Sequence, residues 1–168
     1  MRILVAGTVA LAAAATALVG LVGCGSSGGS SASDQLQKQA ALYQIDQLEQ
    51  IWHKATSTHD INLMMTIWAP DATFTFGGKT AVGKAAVRKV LAAAGPFQPQ
   101  NNWVSDTPMY KVRTTVNGNK GTLYFECHYI DVKTGKLAKL VGADQDVEKI
   151  NGKWLITNSV AATPALRP

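Results

Sequence analysis

The most polar stretch within an otherwise alternating, strand-like segment is Asp144-Gln145-Asp146. A carboxyl group buried in an apolar pocket has a raised pKa, which suits it to donate or accept a proton. Asp144 and Asp146 are therefore candidate catalytic residues, together with His53. The opposite interpretation stays open. Asp144, Asp146 and Glu148 share one parity, and three acids on one strand face are typical of a solvent-facing surface.

The other reactive side chains do not predict a metal site or a cofactor. The three histidines, His53, His59 and His128, do not form a two-histidine helix motif with one another, and no spacing of zinc ligands is present. Two cysteines exclude a disulfide scaffold and a four-thiolate zinc site. Cys127 lies in an apolar strand pattern and is expected to be a buried, inert thiol.

Gly78-Lys79-Thr80 is similar to the end of a phosphate-binding loop. That motif requires a second glycine five residues before Gly78, and Thr73 occupies that position. A nucleotide site is therefore not predicted.

Charge and composition exclude further classes of function. The chain of 168 residues has 16 Lys and Arg against 11 Asp and Glu, and its net charge is +5. The basic residues are scattered along the chain, whereas a nucleic-acid binder concentrates them in a groove or an arm. Hydrophobic residues make up 46% of the chain, which is typical of a globular protein and excludes a disordered one.

The first 23 residues have the pattern of a secretory signal peptide. A positive start, Met1-Arg2, precedes an almost wholly apolar run over residues 3–22. Leu21-Val22-Gly23-Cys24 then resembles the bacterial lipobox, in which the cysteine is lipidated and becomes the first residue. We therefore predict a lipid anchor on Cys24 and a location on the extracytoplasmic face of the cell membrane. An uncleaved membrane anchor is the alternative, because about twenty apolar residues can span a bilayer.

A Gly/Ser segment follows the lipobox over residues 25–33 and offers no large apolar side chain to bury. Such a composition predicts a flexible tether. The predicted organisation is a signal peptide at 1–23, the lipidated cysteine and tether at 24–33, and one folded domain at 34–168.

The hydrophobic period changes within that domain. Spacings of three and four predict a helix from Ser33 or Asp34 to about Thr56, a second from Asp60 to Trp68 that Pro70 ends, and a third over residues 82–94. Gly77-Gly78 is expected to end a brief strand at 72–76. Alternation then predicts strands near 103–104, 109–116, 122–132, 137–150 and 154–161. Turn signals at Asn117-Gly118, Lys133-Thr134-Gly135 and Asn151-Gly152 separate the later ones. Helices followed by an antiparallel meander indicate an α+β fold.

Three segments of the domain carry a family resemblance. They are Trp68-Ala69-Pro70-Asp71-Ala72-Thr73-Phe74, Gly83-Lys84-Ala85-Ala86-Val87 and Asn151-Gly152-Lys153-Trp154. In this order they resemble the SnoaL-like branch of the nuclear transport factor two-like superfamily, over about residues 40–160. The resemblance implies a cone-shaped fold. Three N-terminal helices pack in a strongly curved, mainly antiparallel sheet, and a pocket opens at the wide end.

The superfamily includes ketosteroid isomerases, polyketide cyclases, scytalone dehydratase and non-catalytic domains, so the resemblance by itself gives no reaction. In the isomerases, the position of the acidic base matches Phe76, which cannot take a proton, and the oxyanion tyrosine matches Trp52. Their protonated aspartate is best matched by Asp146. The resemblance therefore argues against steroid isomerisation by that mechanism.

The implied pocket is expected to be apolar with a few polar groups. The side chains predicted to bind a ligand there are Trp52, Trp68, Phe76, Trp103, Tyr129 and Gln145. We therefore predict a membrane-anchored extracytoplasmic domain that binds a small, largely apolar molecule without a cofactor. Two alternatives remain: an isomerase, cyclase or dehydratase that uses a pocket acid, and a non-catalytic interaction module that forms a homodimer through its sheet.

Overall fold

The computed structural model describes residues 31–164, which contain three α-helices. These are α1 (Ala32–Ser57), α2 (Ile61–Met65) and α3 (Lys84–Ala92). The Ser31 hydroxyl accepts a hydrogen bond from the Asp34 N–H, and the Asp34 carboxylate accepts one from the Ser31 N–H, both at 3.2 Å. This reciprocal pair satisfies free N–H groups at the helix start. The helix therefore begins before Ser33 and Asp34, which the sequence had favoured as caps.

Seven strands form one sheet in the described part of the chain. They are β1 (Trp68–Phe76), β2 (Lys79–Val82), β3 (Trp103–Asp106), β4 (Arg113–Asn117), β5 (Lys120–Asp131), β6 (Lys136–Ile150) and β7 (Lys153–Ala162). Their order is β2-β1-β7-β6-β5-β3, and β4 pairs with the first half of β5. Among these described strands, β1 and β7 alone pair in parallel. The predicted α+β fold with a mainly antiparallel sheet is confirmed.

The sheet bends around α1. Its pairing register shifts between Tyr129 and Ile130, between Asp146 and Val147, and between Trp68 and Thr73. Such irregularities bend a strand and increase its twist. The inner face is buried against Ile45, Leu48, Trp52 and Ala55 of α1. The sheet therefore has an inner face, which carries the core, and an outer face.

The second helix is shorter than the apolar period indicated. It ends at Met65, and Trp68 already belongs to β1. Pro70 lies within β1, in the interval where the pairing with β7 is irregular. Proline has no N–H to donate and is tolerated at such an interruption. The prediction that Pro70 ends a helix is therefore wrong.

Gly77-Gly78 joins two strands rather than ending one. Phe76 pairs with Lys79, so the two glycines form a two-residue hairpin loop. Their φ values are +58° and +75°, a conformation that glycine adopts without steric cost. The short, exposed strand β2 that follows was missed because its four residues show too little alternation.

The segment predicted as a strand over 109–116 is divided. Met109–Lys111 forms a turn of 3-10 helix, and β4 begins only at Arg113. The later hairpins agree with their turn signals, since Asn151-Gly152 connects β6 directly to β7.

No helix within residues 31–164 has the length and apolarity required to cross a membrane. The predicted signal peptide, the lipidation site at Cys24 and most of the predicted tether lie outside the described residues.

Candidate functional site

A cavity of about 280 Å³ opens between α1, the end of α3 and the inner face of the sheet. The turn at Gly95–Phe97 forms part of its rim. Most of its walls are aromatic or aliphatic. The lining residues are Trp52, Thr56, Phe74, Phe76, Val90, Leu91, Ala93, Ala94, Gly95, Pro96, Phe97, Tyr129, Lys139, Val141 and Ala161. The volume lies just below the range of drug-sized ligand pockets, roughly 300–1,000 Å³, so the cavity suits a compact ligand.

Aromatic rings hold the deep side of the cavity in place. Trp52 is buried on α1, and its ring centroid lies 5.5 Å from that of Phe125 and 5.8 Å from that of Trp68. Its indole Nε1 is buried and has no hydrogen-bond partner among the described atoms. Thr56 lies one turn further along α1, and its hydroxyl donates to the backbone carbonyls of Trp52 and His53.

The mouth of the cavity is more exposed. Phe76 is 40% exposed and stacks on Phe74 with an interplanar angle of 4°. The Lys139 ammonium lies 5.8 Å from the centroid of the Phe76 ring. Lys139 and Tyr129 are directly paired on β6 and β5, so both side chains extend from the same face of the sheet towards the cavity.

The ionisable groups of the cavity are few. Among the lining residues in the described chain, only Tyr129 and Lys139 can titrate, and neither a carboxylate nor a histidine is present. Burial raises the pKa of Tyr129 well above its ordinary value, so its phenol is neutral at physiological pH. The cavity can therefore bind an apolar molecule, but its described walls hold no side chain suited to serve as a general base near neutral pH.

The structure corrects the predicted place of the strand acids. Asp144 and Asp146 are exposed, whereas Ala143, Gln145 and Val147 between and beside them are buried. Both carboxylates lie on the outer face, where Asn158 donates a hydrogen bond to Asp146 at 3.0 Å. They line an open groove of about 410 Å³ on that side. Strand alternation thus places Asp144 and Asp146 on the side of the sheet opposite the cavity. The prediction that one of them supplies an acid inside the cavity is wrong.

His53 is half-buried on α1 and does not line the cavity. Burial lowers the pKa of His53, and the nearby charge of Asp106 opposes this shift only in part. Its Nε2 atom is buried without a partner among the described atoms. The imidazole is therefore neutral at physiological pH, and it is not among the described residues that line the cavity in which it was expected to act.

Glu49 is a buried carboxyl that sequence analysis did not select. It lies one helical turn before His53 and is 8% exposed. Burial raises the pKa of Glu49, the nearby charges of Asp46 and Asp106 raise it further, and a contact with Thr107 lowers it. Its spacing of four residues from Ile45 and three from Trp52 places it on the apolar helix face, which was the available signal.

Three of the predicted ligand-binding residues line the cavity, namely Trp52, Phe76 and Tyr129. Trp68 is fully buried behind Trp52 and Phe74. Trp103 is half-buried and packs against Tyr129, with ring centroids 5.9 Å apart, and it is not among the residues that line the cavity. Gln145 is on the inner face but deeper, paired with Ser159. The predicted contact of Trp68, Trp103 and Gln145 with the cavity is therefore corrected, since none of the three lines it.

Several lining residues were missed by the sequence analysis. Lys139, Val141 and Ala161 come from β6 and β7, and the turn at Gly95–Phe97 closes one side. The parity of Lys139 and Val141 matches that of buried Ala143 and Val147, so alternation was the signal. The rim turn had no comparable signal. Cys127 is buried as expected, and burial raises its pKa to about 12.

A curved sheet wrapped around one long helix, with an apolar cavity between them, defines the class of cone-shaped NTF2-like proteins. Within that class, residues 49–154 match the SnoaL-like domain. The chain therefore belongs to the SnoaL-like family, as its resemblance implied. No functionally curated protein matches it in sequence.

Solved structures agree on the fold. An NTF2-like protein with a cystatin-like fold from Novosphingobium aromaticivorans has a TM-score of 0.67 and 13% identity, over 80% of this chain and 89% of that one. A candidate dehydratase of the NTF2-like family from Streptomyces avermitilis has a TM-score of 0.62 and 14% identity, over 76% of this chain and 98% of that one. A candidate scytalone dehydratase from Novosphingobium aromaticivorans has a TM-score of 0.61 and 11% identity, over 79% of this chain and 93% of that one. At these identities the likeness concerns the fold alone.

Proposed function

We propose that this protein binds a small, largely apolar molecule in the cavity between α1 and the sheet. The observation that carries the proposal is the composition of the walls. Trp52, Phe74 and Phe76 supply aromatic surface, while Tyr129 and Lys139 supply the ionisable groups. Mostly apolar walls with a few converging polar groups are typical of small-molecule sites.

Two neighbouring residues of β7 provide the test. Ala161 is buried and lines the cavity, whereas Val160 is exposed on the outer face. Ala161→Trp should fill the cavity, and Val160→Trp places the same side chain on the other side of the sheet. The full chain is purified in mild detergent, and the small molecules that accompany it are quantified by mass spectrometry. Wild type and Val160→Trp should carry the same apolar compound, and Ala161→Trp should carry at least about tenfold less, which corresponds to ~1.4 kcal/mol.

A thermal melt of each variant serves as the folding control. If folded Ala161→Trp retains the compound, or if folded wild type carries none, the proposal of a binding cavity is wrong.

A dehydratase or isomerase is the second candidate, favoured by the names of two structural neighbours. Such a reaction needs a group that accepts a proton from the bound molecule. Two described lining residues carry a neutral hydroxyl that could relay a proton, Tyr129 and Thr56, and that of Thr56 already donates to backbone carbonyls. Under this candidate, Tyr129→Phe should abolish turnover of the bound compound while leaving its binding almost unchanged. Turnover that survives in Tyr129→Phe would show that the Tyr129 hydroxyl takes no part in the reaction and would contradict this candidate.

A lipid anchor on the extracytoplasmic face of the cell membrane is also part of the proposal. It is supported by the motif Leu21-Val22-Gly23-Cys24 and by the Gly/Ser segment after it. Several acyl chains on one cysteine would give stable attachment, since a single chain binds a membrane only marginally.

Metabolic labelling with an alkynyl fatty acid tests the anchor. Label should appear on the wild type and be lost in Cys24→Ser. Cys127→Ser is the matched control. Because Cys127 is buried, this variant should keep the label. Equal labelling of Cys24→Ser and wild type would show that Cys24 carries no lipid.

A further inference from the structure

The polar groups at the cavity are unbalanced in charge. Lys139 carries a positive charge, Tyr129 is neutral, and no carboxylate is present among the described lining residues. Across residues 31–164, the ion pairs involve Lys111, Glu126 and His128, and none includes Lys139. The ammonium at the cavity mouth is therefore not neutralised by a neighbouring side chain.

The surroundings of Lys139 direct its charge to the cavity. Its register partner Tyr129 lies on the inner face, and its Nζ atom lies over the ring of Phe76 at 5.8 Å. A lysine commonly covers apolar surface with its methylene groups and keeps its charged end at the boundary with water. A molecule bound in the cavity would thus place its apolar body against the aromatic rings and its outer end beside Nζ.

The available hydrogen-bonding atoms point to the same ligand chemistry. The Lys139 ammonium can only donate hydrogen bonds. The Trp52 indole Nε1 is a donor without a partner among the described atoms, whereas the Thr56 hydroxyl already donates to backbone carbonyls. Donors facing an apolar cavity favour an oxygen acceptor, and a charged acceptor gains most from an ammonium.

We propose that the cavity prefers an organic anion, namely a compact apolar body with one carboxylate that meets Lys139 at the mouth. The inference rests on the proposed binding function and specifies its ligand class. It predicts discrimination by charge: a neutral analogue loses the contact with the ammonium, and a cationic analogue is repelled by it.

Three probes with one apolar body test the charge preference. Cyclohexanecarboxylate, cyclohexylmethanol and cyclohexylmethylammonium are measured by equilibrium dialysis against the full chain in lipid nanodiscs, with protein-free nanodiscs as the blank. Wild type should bind the carboxylate about fivefold more tightly than the alcohol, and the ammonium compound most weakly. Added salt should reduce the preference, because the charges lie at a partly exposed mouth.

Variants at two lysines of β6 assign the preference. Lys139→Met keeps the length of the side chain and removes its charge, so the carboxylate and the alcohol should bind equally. Lys139→Arg keeps the charge and should keep the preference. Lys136→Met is the matched control, because Lys136 is exposed on the same strand and does not line the cavity.

The outcomes separate this inference from the function on which it rests. If wild type binds alcohol and carboxylate equally, or favours the ammonium compound, the anion preference is wrong while a binding cavity remains. If folded Lys139→Met keeps the preference, Lys139 is not its source and the inference is overturned. If none of the three probes binds, the binding function itself fails. The wild-type comparison requires no variant, so misfolding of Lys139→Met does not remove the test.

Discussion

The two faces of the sheet differ in chemistry although they are built from the same strands. On β6, the inward residues Ala143, Gln145 and Val147 are buried, and the outward residues Asp144 and Asp146 are exposed. The inner face is apolar and holds the cavity, whereas the outer face carries acids, threonines and a charged network. A shift of one residue in register would exchange the two sets. The face on which an acid lies therefore decides whether the cavity holds a carboxylate that could transfer a proton.

The largest difference between the faces should appear in stability. Phe125 is 1% exposed on the inner face of β5, and Thr122 is exposed on the outer face of the same strand. Phe125→Ala should lower the free energy of unfolding by ~3–5 kcal/mol, because a buried ring is lost and a cavity remains. Thr122→Ala should change it by less than ~0.5 kcal/mol. Urea denaturation measures both, and similar losses in the two variants would contradict the division into faces.

On the outer face, replacing the buried acid Glu126 should lower the stability of the protein. Glu126 is 6% exposed and accepts hydrogen bonds from Tyr124 at 2.8 Å and Lys111 at 3.2 Å. Burial alone would raise the pKa of Glu126, but these partners outweigh it and hold the pKa below its ordinary value. Glu126→Gln should therefore lower the free energy of unfolding by ~1–3 kcal/mol at neutral pH.

The pH dependence of this effect has a definite sign. A carboxyl group whose pKa is lower in the folded state contributes stability above its unfolded pKa, and that contribution is lost as the pH falls through the folded value. The wild type and Glu126→Gln should therefore converge in stability in acid. A difference that stays constant between neutral pH and about pH 3 would contradict the role of the Glu126 charge.

Glu49 on α1 should behave in the opposite way. The pKa of Glu49 is raised, chiefly by burial. The stability that this carboxyl group contributes is therefore complete below its unfolded pKa and is lost as the pH rises through its folded pKa. Glu49→Gln should thus gain stability relative to wild type as the pH rises from acid to neutral. In acid, where the Glu49 carboxyl is protonated in both the folded and the unfolded state, this gain should be absent, and denaturation at several pH values checks it. A gain that does not depend on pH would contradict it.

The smallest expected effect concerns two adjacent residues of β6. Gln145 is 3% exposed, and both polar atoms of its amide have no partner among the described atoms. Gln145→Leu should raise the free energy of unfolding by ~1 kcal/mol, because an unpaired buried amide is costly. Asp146→Asn on the outer face should change it by less than ~0.5 kcal/mol. A loss of stability in Gln145→Leu would indicate that the amide has a partner, such as ordered water.

Local signals in the sequence predicted much of the architecture. The apolar period of α1, the alternation of β5 and the Asn151-Gly152 turn each depend on a few neighbouring residues, and the structure agrees with them. The same signals failed where two explanations fitted equally well. Pro70 ends helices but also fits a strand irregularity, and Gly77-Gly78 ends strands but also joins them.

The candidate site depended more on the tertiary structure. From the sequence alone, the family resemblance, the aromatic residues Trp52, Phe76 and Tyr129, and the absence of a metal-ligand pattern could be stated. Parity grouped Asp144 with Asp146 but left open which parity faces inward, because that choice depends on packing against α1, far away in sequence. The burial of Trp68, the packing of Trp103 against Tyr129 and the approach of Lys139 to Phe76 at the cavity mouth result from contacts that only the folded chain brings together.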